Sequence, residues 1–308
     1  MLPPWTMACV PAGVEGGGIE GLMRGGSIGP EGSHCIRARE GDAGPMWKLI
    51  EPLEEAPGAW QMALDEALLE DASAREDFLP TLRLYVFRPG CLSLGRTQDH
   101  GSVEAEAARA EGLDVVRRIT GGSGVLHHGE LTYSVVARIA PPFTDSIEQN
   151  YTLLSEAISA GLARRFGVRA ELEPSRPERG LASGACFLTP ALKELKVDGR
   201  KLVGSAQRRQ KGAFLQHGAL PLRTDYALHA RLFGLTPERL RGAMVDLFEA
   251  AGREVGHAEA AEALVQGFTE RLGVTWVSSS LPAHVRARAE ELVTRRYGRD
   301  DWTRDAAG

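Results

Sequence analysis

The chain has 308 residues, of which 43% are hydrophobic and 25% are charged, and its formal net charge is −5. This length is sufficient for one large domain or two with a sizeable core, and the acidic balance argues against nucleic-acid binding, which normally requires a basic excess. No apolar run reaches the roughly 18 residues of a transmembrane helix, and the N-terminus lacks the charged-then-apolar pattern of a signal peptide.

The first segment, 1–45, differs in composition from the rest of the chain. It contains 11 glycines and little periodic apolar pattern, so it is not expected to build a core. We interpret it either as a disordered glycine-rich extension or as the product of a mis-assigned start. In the second case translation begins at Met46, where Met-Trp-Lys-Leu-Ile is typical of an opening strand.

The segment 46–223 alternates between helix and strand patterns and is predicted to form one domain. Helices are predicted at 61–71, 103–111 and 147–166, the last two ended by Gly112 and Gly167. Strands are predicted at 82–87, 91–94, 114–118, 131–139 and 213–222. Asp198-Gly199 predicts the two-residue turn of a β-hairpin.

After Thr224 the pattern becomes helical. Three helices are predicted, at 237–251, 259–272 and 282–297, and we expect 224–308 to be a helical C-terminal segment packed on the preceding domain. The sequence therefore predicts an α+β fold, in which a mixed or antiparallel β-sheet is flanked by helices.

Two motifs about 80 residues apart carry the candidate chemistry. The first, at 117–128, reads Arg-Arg-Ile-Thr-Gly-Gly-Ser-Gly-Val-Leu-His-His. Glycines here permit positive φ and leave no Cβ to block a ligand, although glycines alone are equally compatible with a surface turn. The second, at 201–218, begins Lys-Leu-Val-Gly-Ser-Ala-Gln-Arg and ends Leu-Gln-His-Gly.

Together these motifs resemble those of the biotin/lipoate A/B protein ligase family, and the similarity covers roughly 47–222. The resemblance implies the catalytic-domain fold of that family for 46–223. One branch, the cysteine-dependent octanoyltransferases of the LipM type, carries its nucleophile in an Ala-Cys-Phe segment about fifteen residues before the motif lysine. Here Ala185-Cys186-Phe187 precedes Lys201 at that spacing. On the residues alone, an inert structural cysteine is the commoner interpretation.

The resemblance implies two acyl transfers. The Cys186 thiolate takes an octanoyl group from octanoyl-acyl carrier protein, and a lysine of a lipoyl-domain protein then accepts it as an amide. The acceptor is the glycine cleavage H protein or the E2 subunit of a 2-oxoacid dehydrogenase. No cofactor, nucleic acid or membrane is implied, no zinc-type spacing indicates a metal, and few cysteines favour a reducing cytoplasm.

The resemblance also assigns further site residues. Lys201 is expected near the acyl carbonyl, where its ammonium lowers the thiol pKa and stabilises the oxyanion; the alternative is a solvated lysine after a hairpin turn. Gly204 and Ser205 shape the tunnel or supply N–H donors. The substrate-binding set of the first motif comprises Arg118, Thr120, Gly121, Gly122 and His127.

Three flanking residues are interpreted more conservatively. His217 is expected to be a buried hydrogen-bonding residue rather than a general base, Arg117 braces the loop, and His128 has no assigned role. Cys91 lies in an apolar strand and is expected to be a core cysteine.

Three alternative functions remain open at this point. The first is an ATP-dependent lipoate-protein ligase, which forms an acyl-adenylate and needs no thiol. The second is an octanoyl amidotransferase between lipoyl-domain proteins, and the third is a non-catalytic acyl- or lipoyl-binding protein.

Overall fold

The computed structural model describes residues 44–174 and 193–305, and every structural statement below refers to these residues. Cys186 lies outside them. The strands are β1 (Met46–Ala56), β2 (Thr81–Phe87), β3 (Cys91–Leu94), β4 (Asp114–Arg117), β5 (Val125–His127), β6 (Glu130–Arg138), β7 (Glu171–Pro174), β8 (Lys193–Val197), β9 (Arg200–Gln210), β10 (Ala213–Pro221) and β11 (Thr275–Ser279). The helices are α1 (Gly58–Ala74), α2 (Ala105–Ala110), α3 (Ile147–Phe166), α4 (Tyr226–Leu232), α5 (Pro237–Ala243), α6 (Leu247–Ala251), α7 (His257–Leu272), α8 (Ala283–Leu292) and α9 (Asp300–Asp305).

The described strands form a large and a small sheet. The large sheet has the order β11-β1-β2-β6-β10-β9-β8-β7, and the small one the order β4-β3-β5. In the large sheet β1 runs parallel to β11 and β2, whereas the pairs from β2 to β7 are antiparallel. The predicted α+β fold with a mixed sheet and flanking helices is therefore confirmed.

The large sheet is covered by helices on both faces. On one face α3 and α7 pack closely, because a Cβ on Gly161 would lie 2.0 Å from the carbonyl oxygen of Ala263. The core on this side includes Trp47, Phe214 and Phe268. On the other face α1 and α8 enclose a second cluster of buried residues. A pocket that contacts the small sheet also lies on this second side, where Met62 and Tyr85 of this cluster line it.

Local signals explain why several elements begin and end where predicted. Helix α3 matches the predicted 147–166, because the Ser146 hydroxyl accepts a hydrogen bond from Gln149 N and Gly167 adopts φ +68°. The β8–β9 hairpin turns at Asp198 and Gly199, whose φ values of +50° and +73° are those of a two-residue turn.

The C-terminal segment differs from the predicted run of three helices. The helix predicted at 237–251 is two helices, because Val245 N donates to Lys201 O at 3.0 Å between α5 and α6. The helix predicted at 282–297 continues from α8 as a π-helical turn, Val293–Tyr297. The segment also contains β11, an unpredicted strand that extends the large sheet beside β1. Within the described part of the chain, no helix has both the length and the apolar character to cross a membrane.

Candidate active site

A narrow pocket lies between the large sheet, the small sheet and α1. It is therefore built by segments that are distant in sequence. Its described lining comprises Met62, Tyr85, Ser93, Arg118, Val125, His127, Thr132, Gly204, Ser205, Ala206, His217, Gly218 and Ala219.

One row of cross-strand partners defines the direction of the pocket. Gly204 of β9 pairs with Ala219 of β10, Ala219 with Thr132 of β6, and Thr132 with Tyr85 of β2. Side-chain size increases along this row from glycine to tyrosine. Ser205 and Ala206 of β9 are half-buried, whereas Tyr85 is fully buried, so we assign the open end of the pocket to β9 and the closed end to the Tyr85 ring at β2.

The glycine-rich loop, defined here as 119–124, is braced by Arg118. Its Nη2 donates to the carbonyl oxygens of Gly121 and Ser123 at 2.7 and 2.8 Å. Its Nε donates to Thr120 Oγ1 at 3.1 Å, and its Nη1 to Ser93 O at 3.1 Å. Because Arg118 also lines the pocket, it connects the loop to the ligand-facing wall.

The glycines in and beside the loop differ in whether the backbone or the packing requires a glycine. Gly122 adopts φ +89°, a conformation that favours glycine. Gly95 packs against it so closely that a Cβ there would lie 1.7 Å from Gly122 O. A Cβ on Gly121 would meet no atom within 4 Å, and both Gly121 and Gly122 are exposed at the surface.

An acid–histidine–hydroxyl chain, the Asp65 chain, connects α1 to the loop. Asp65 Oδ2 lies 2.9 Å from His217 Nδ1, and His217 Nε2 lies 2.7 Å from Thr120 Oγ1. Since Nδ1 faces a carboxylate, it carries the proton in the neutral imidazole, and Nε2 accepts from the threonine hydroxyl. The Asp65 carboxylate also accepts from Tyr85 Oη at 2.8 Å and from Arg83 Nη1 at 2.9 Å.

A second chain of the same type, the Glu130 chain, joins strands β6, β5 and β3. Glu130 Oε1 is 3.1 Å from His127 Nδ1, and His127 Nε2 is 2.9 Å from Ser93 Oγ. The imidazole also stacks on Phe87, with 4.0 Å between ring centroids. Burial lowers the pKa of His127 despite the opposing effect of Glu130.

These two chains explain how a pocket lined by many polar residues suits an apolar ligand. The polar atoms of His127, His217 and Ser93 bond to other side chains. The surface left for a ligand is mainly carbon. The arrangement therefore fits a hydrocarbon chain better than a charged ligand.

Lys201 is held by a buried carboxylate. Its Nζ lies 2.6 Å from Glu194 Oε1 of the neighbouring strand β8, and both side chains are less than a tenth exposed. Lys201 is on β9, three residues before Gly204 at the open end of the pocket. It is not among the described residues that line the pocket, and its role beside an acyl carbonyl stays a prediction.

The structure thus brings most predicted site residues together. Arg118, His127, Gly204 and Ser205 line one pocket, and Thr120 joins it through hydrogen bonds to Arg118 and His217. The predicted nucleophile, Cys186, is outside the described residues.

The described residues also include Cys91, which was predicted to be a core cysteine, and Arg117, which was predicted to brace the loop. Cys91 is fully buried, and burial raises the pKa of its thiol well above the ordinary value, as expected for a core cysteine. Arg117 faces away from the pocket and donates to carbonyl groups of 95–98 and of α9.

Sequence reasoning missed the acidic partners of the site. Asp65, Glu130 and Glu194 each bond to a predicted histidine or lysine. Their signal was a charged residue inside an apolar or motif segment, such as Asp65 within Met62–Leu69. A buried carboxylate requires a partner, but one sequence does not identify which partner it has.

Comparison with known proteins identifies the family of this chain. The sequence model of the lipoyl protein ligase A/B catalytic domain matches residues 57–269. Octanoyltransferase LipM of Symbiobacterium thermophilum is 39% identical over 270 residues, which cover 83% of this chain and 97% of that protein. Octanoyltransferase LipM of Geobacillus kaustophilus is 38% identical over 272 residues, with the same two coverages.

Solved structures share the fold at lower identity. Lipoate-protein ligase A bound with ATP matches with a TM-score of 0.72 and 23% identity, over 85% of this chain and 100% of that chain. A bipartite lipoate protein ligase from Thermoplasma acidophilum, described with its E2 lipoyl domain, gives a TM-score of 0.69 and 22% identity, over 86% and 98%. These structures show the fold alone, whereas the sequence model spans more than half of the chain. The chain therefore belongs to the lipoyl protein ligase A/B catalytic domain family.

Proposed function

We propose that this protein is an octanoyltransferase of protein lipoylation. It transfers an octanoyl group from octanoyl-acyl carrier protein, through a thioester on Cys186, to a lysine of a lipoyl-domain protein. Full-length relatives named octanoyltransferase LipM support the reaction class. The acceptor class is supported by the family, in which a ligase is described with its E2 lipoyl domain.

The observation that carries the proposal is the tapered pocket. From β9 to β2 it crosses three strand spacings of about 4.8 Å, or about 14 Å in total. An extended eight-carbon chain, at about 1.3 Å per carbon–carbon bond, is about 9 Å long. An octanoyl group whose terminal methyl lies next to the Tyr85 ring therefore leaves about 5 Å of this span for the thioester at the open end.

The proposed chemistry has two balanced steps. The Cys186 thiolate attacks the donor thioester and expels the carrier's thiolate, which takes up a proton. The neutral acceptor amine then attacks the enzyme thioester, forms the amide and expels the Cys186 thiolate, while the amine proton is released. Lys201, bonded to Glu194, supplies positive charge on the same strand as Gly204, three residues before it.

Intact-protein mass spectrometry tests the proposal. The protein is mixed with octanoyl-acyl carrier protein without ATP, beside Cys186→Ala and, as a matched control, Cys91→Ala. We expect a hydroxylamine-sensitive octanoyl adduct on the wild type and on Cys91→Ala but not on Cys186→Ala. The adduct should pass to an added lipoyl-domain protein, either the glycine cleavage H protein or E2.

Other outcomes identify the alternatives. Acceptor modification that requires free acid, ATP and Mg²⁺ would indicate a ligase. An adduct formed only from an octanoylated lipoyl-domain protein would indicate an amidotransferase. Stoichiometric binding without any adduct or acceptor modification would indicate a non-catalytic acyl-binding protein.

A further inference from the structure

The guanidinium of Arg117 binds the C-terminal helix of the described chain. Arg117 is buried at the end of β4 and is 1% exposed. Its Nε donates to the carbonyl oxygens of Trp302 and Thr303 at 3.2 and 3.0 Å, and its Nη2 to that of Arg304 at 3.0 Å. In return, Trp302 Nε1 donates to Arg117 O at 2.8 Å. Four hydrogen bonds thus connect Arg117 to α9.

The same guanidinium binds the segment 95–98. Its Nη1 donates to the carbonyl oxygens of Gly95 and Gln98 at 2.8 and 2.6 Å. The Trp302 ring packs against this segment, since Arg96 Cζ lies 4.4 Å from the centroid of the ring. Arg117 and Trp302 therefore join α9 and 95–98 into one unit.

The segment 95–98 in turn supports the glycine-rich loop. Arg96 N donates to Thr120 O at 2.8 Å. Gly95 lies against Gly122 O with no room for a Cβ. A displacement of 95–98 would therefore displace the glycine-rich loop. The loop is bonded in turn to Arg118, which lines the pocket.

We propose that α9 is a clamp that holds the glycine-rich loop in its acyl-binding position, with Arg117 as the positioning residue. The clamp acts through contacts and does not touch the reacting atoms. For its kinetic consequence the inference rests on the proposed octanoyl transfer, whereas its structural consequence does not.

Two variants break the clamp, and one matched variant leaves it intact. Trp302→Ala removes the indole hydrogen bond and the ring packing. Arg117→Lys keeps the charge but replaces a planar fork of donors by a point charge, which does not bridge two sets of carbonyl groups. Trp276→Ala is the control, because it removes a tryptophan that packs on Trp47 and Phe268 at the far edge of the large sheet.

Hydrogen–deuterium exchange measures the local stability of the loop and does not depend on activity. We expect amide exchange in a peptide covering 119–124 to rise about tenfold in both clamp variants, because local restraint is lost, and to stay at the wild-type rate in Trp276→Ala. Faster exchange in α9 with an unchanged loop would overturn the proposal. Equal acceleration of the loop by Trp276→Ala would also overturn it. If Trp302→Ala does not fold, Arg117→Lys decides.

The kinetic test follows the octanoyl adduct at increasing donor concentration. We expect the rate at limiting donor to fall about 10- to 100-fold in the clamp variants, since small misplacements of a site cost this much, and to change less than about twofold in Trp276→Ala. Unchanged acylation with a loosened loop contradicts the positioning role. If the wild type forms no adduct, the proposed function fails, and the exchange experiment alone decides the clamp.

Discussion

The Asp65 chain and the Glu130 chain have the same chemical pattern but connect different parts of the molecule. The Asp65 chain joins residues 152 and 97 positions apart, from α1 through β10 to the glycine-rich loop. The Glu130 chain joins residues 3 and 34 positions apart, among neighbouring strands. The first therefore fixes the tertiary arrangement of the pocket, while the second orients one wall.

The two carboxylates also differ in their counter-charges. Burial raises the pKa of Asp65, but the hydrogen bond from His217 and the charge of Arg83 outweigh it and lower the pKa below the ordinary value. Among the described residues, Glu130 forms its ion pair with His127 and none with a lysine or arginine. Loss of Asp65 thus leaves a buried arginine short of a partner, whereas loss of Glu130 does not.

Replacing each carboxylate by its amide tests this difference and has the largest expected effect. We expect Asp65→Asn to lower the free energy of unfolding by about 3 kcal/mol, because the buried Arg83 guanidinium loses its fully buried carboxylate partner and keeps only the half-buried Glu54, at 3.3 Å. Glu130→Gln should cost about 1 kcal/mol, the value of an ordinary hydrogen bond. Urea denaturation measures both, and equal losses would show that the counter-charge of Arg83 is unimportant.

The same contrast explains how much of the fold was predictable. Helix α3 was predicted end to end, because its capping residues, Ser146 and Gly167, are adjacent to it in sequence. Strand β11 was missed, because it is short, mostly exposed and pairs with a strand more than 200 residues earlier. The break after Ala243 was missed because its cause is a contact with Lys201 on a distant strand.

The site follows the same rule. Arg118, His127, Gly204 and Ser205 were predicted, because each stands in a motif of recognisable spacing, and the structure places all four on one pocket. The partners of the motif residues, such as Asp65 and Glu194, were not. Which carboxylate meets which base depends on strand order and register, and these are properties of the whole sheet.

Removing the hydroxyl group at the end of each chain gives the next largest effect. Thr120→Val removes the hydroxyl that donates to His217 Nε2 and accepts from Arg118 Nε, so we expect a loss of about 2 kcal/mol in unfolding free energy. Ser93→Ala should cost about 1 kcal/mol, since Arg118 keeps its bond to the Ser93 backbone oxygen, which alanine retains. Acyl-adduct formation should slow more in Thr120→Val. The reverse order would show that the Glu130 chain, not the Asp65 chain, has the larger influence on acyl transfer.

Two substitutions that enlarge the pocket, one at its closed end and one in its open half, test the assigned direction of the pocket. Met62 packs in the same buried cluster as Tyr85, at the closed end, whereas Val125 packs with Ala219 in the open half. We expect Met62→Ala to shift the ratio of decanoyl to octanoyl adduct upward about tenfold, since two buried methylenes contribute about 1.6 kcal/mol. Val125→Ala should leave this ratio unchanged. Competition between octanoyl and decanoyl donors, followed by mass spectrometry, measures it, and a shift in Val125→Ala alone would reverse the assigned direction of the pocket.

The smallest effect is a pH dependence carried by His127. Because burial lowers its folded-state pKa below 6.5, the unfolded chain binds a proton that the folded chain does not. Its contribution to stability is therefore complete above pH 6.5 and declines as the pH falls towards the folded-state value. His229, with a pKa lowered to about 4 by burial, acts in the same direction and is unchanged in the variants compared.

Unfolding free energies at pH 7 and pH 6 isolate the part due to His127. The decrease between these two values should be smaller in His127→Gln than in the wild type, by less than about 1 kcal/mol for a single proton. The exposed His284 on α8 provides the control, His284→Gln. A wild-type slope retained in His127→Gln would mean that Glu130 stabilises the imidazolium enough to offset burial. Both carboxylates would then have a positively charged partner, Arg83 for Asp65 and His127 for Glu130. The two chains would differ only in which parts of the molecule they connect.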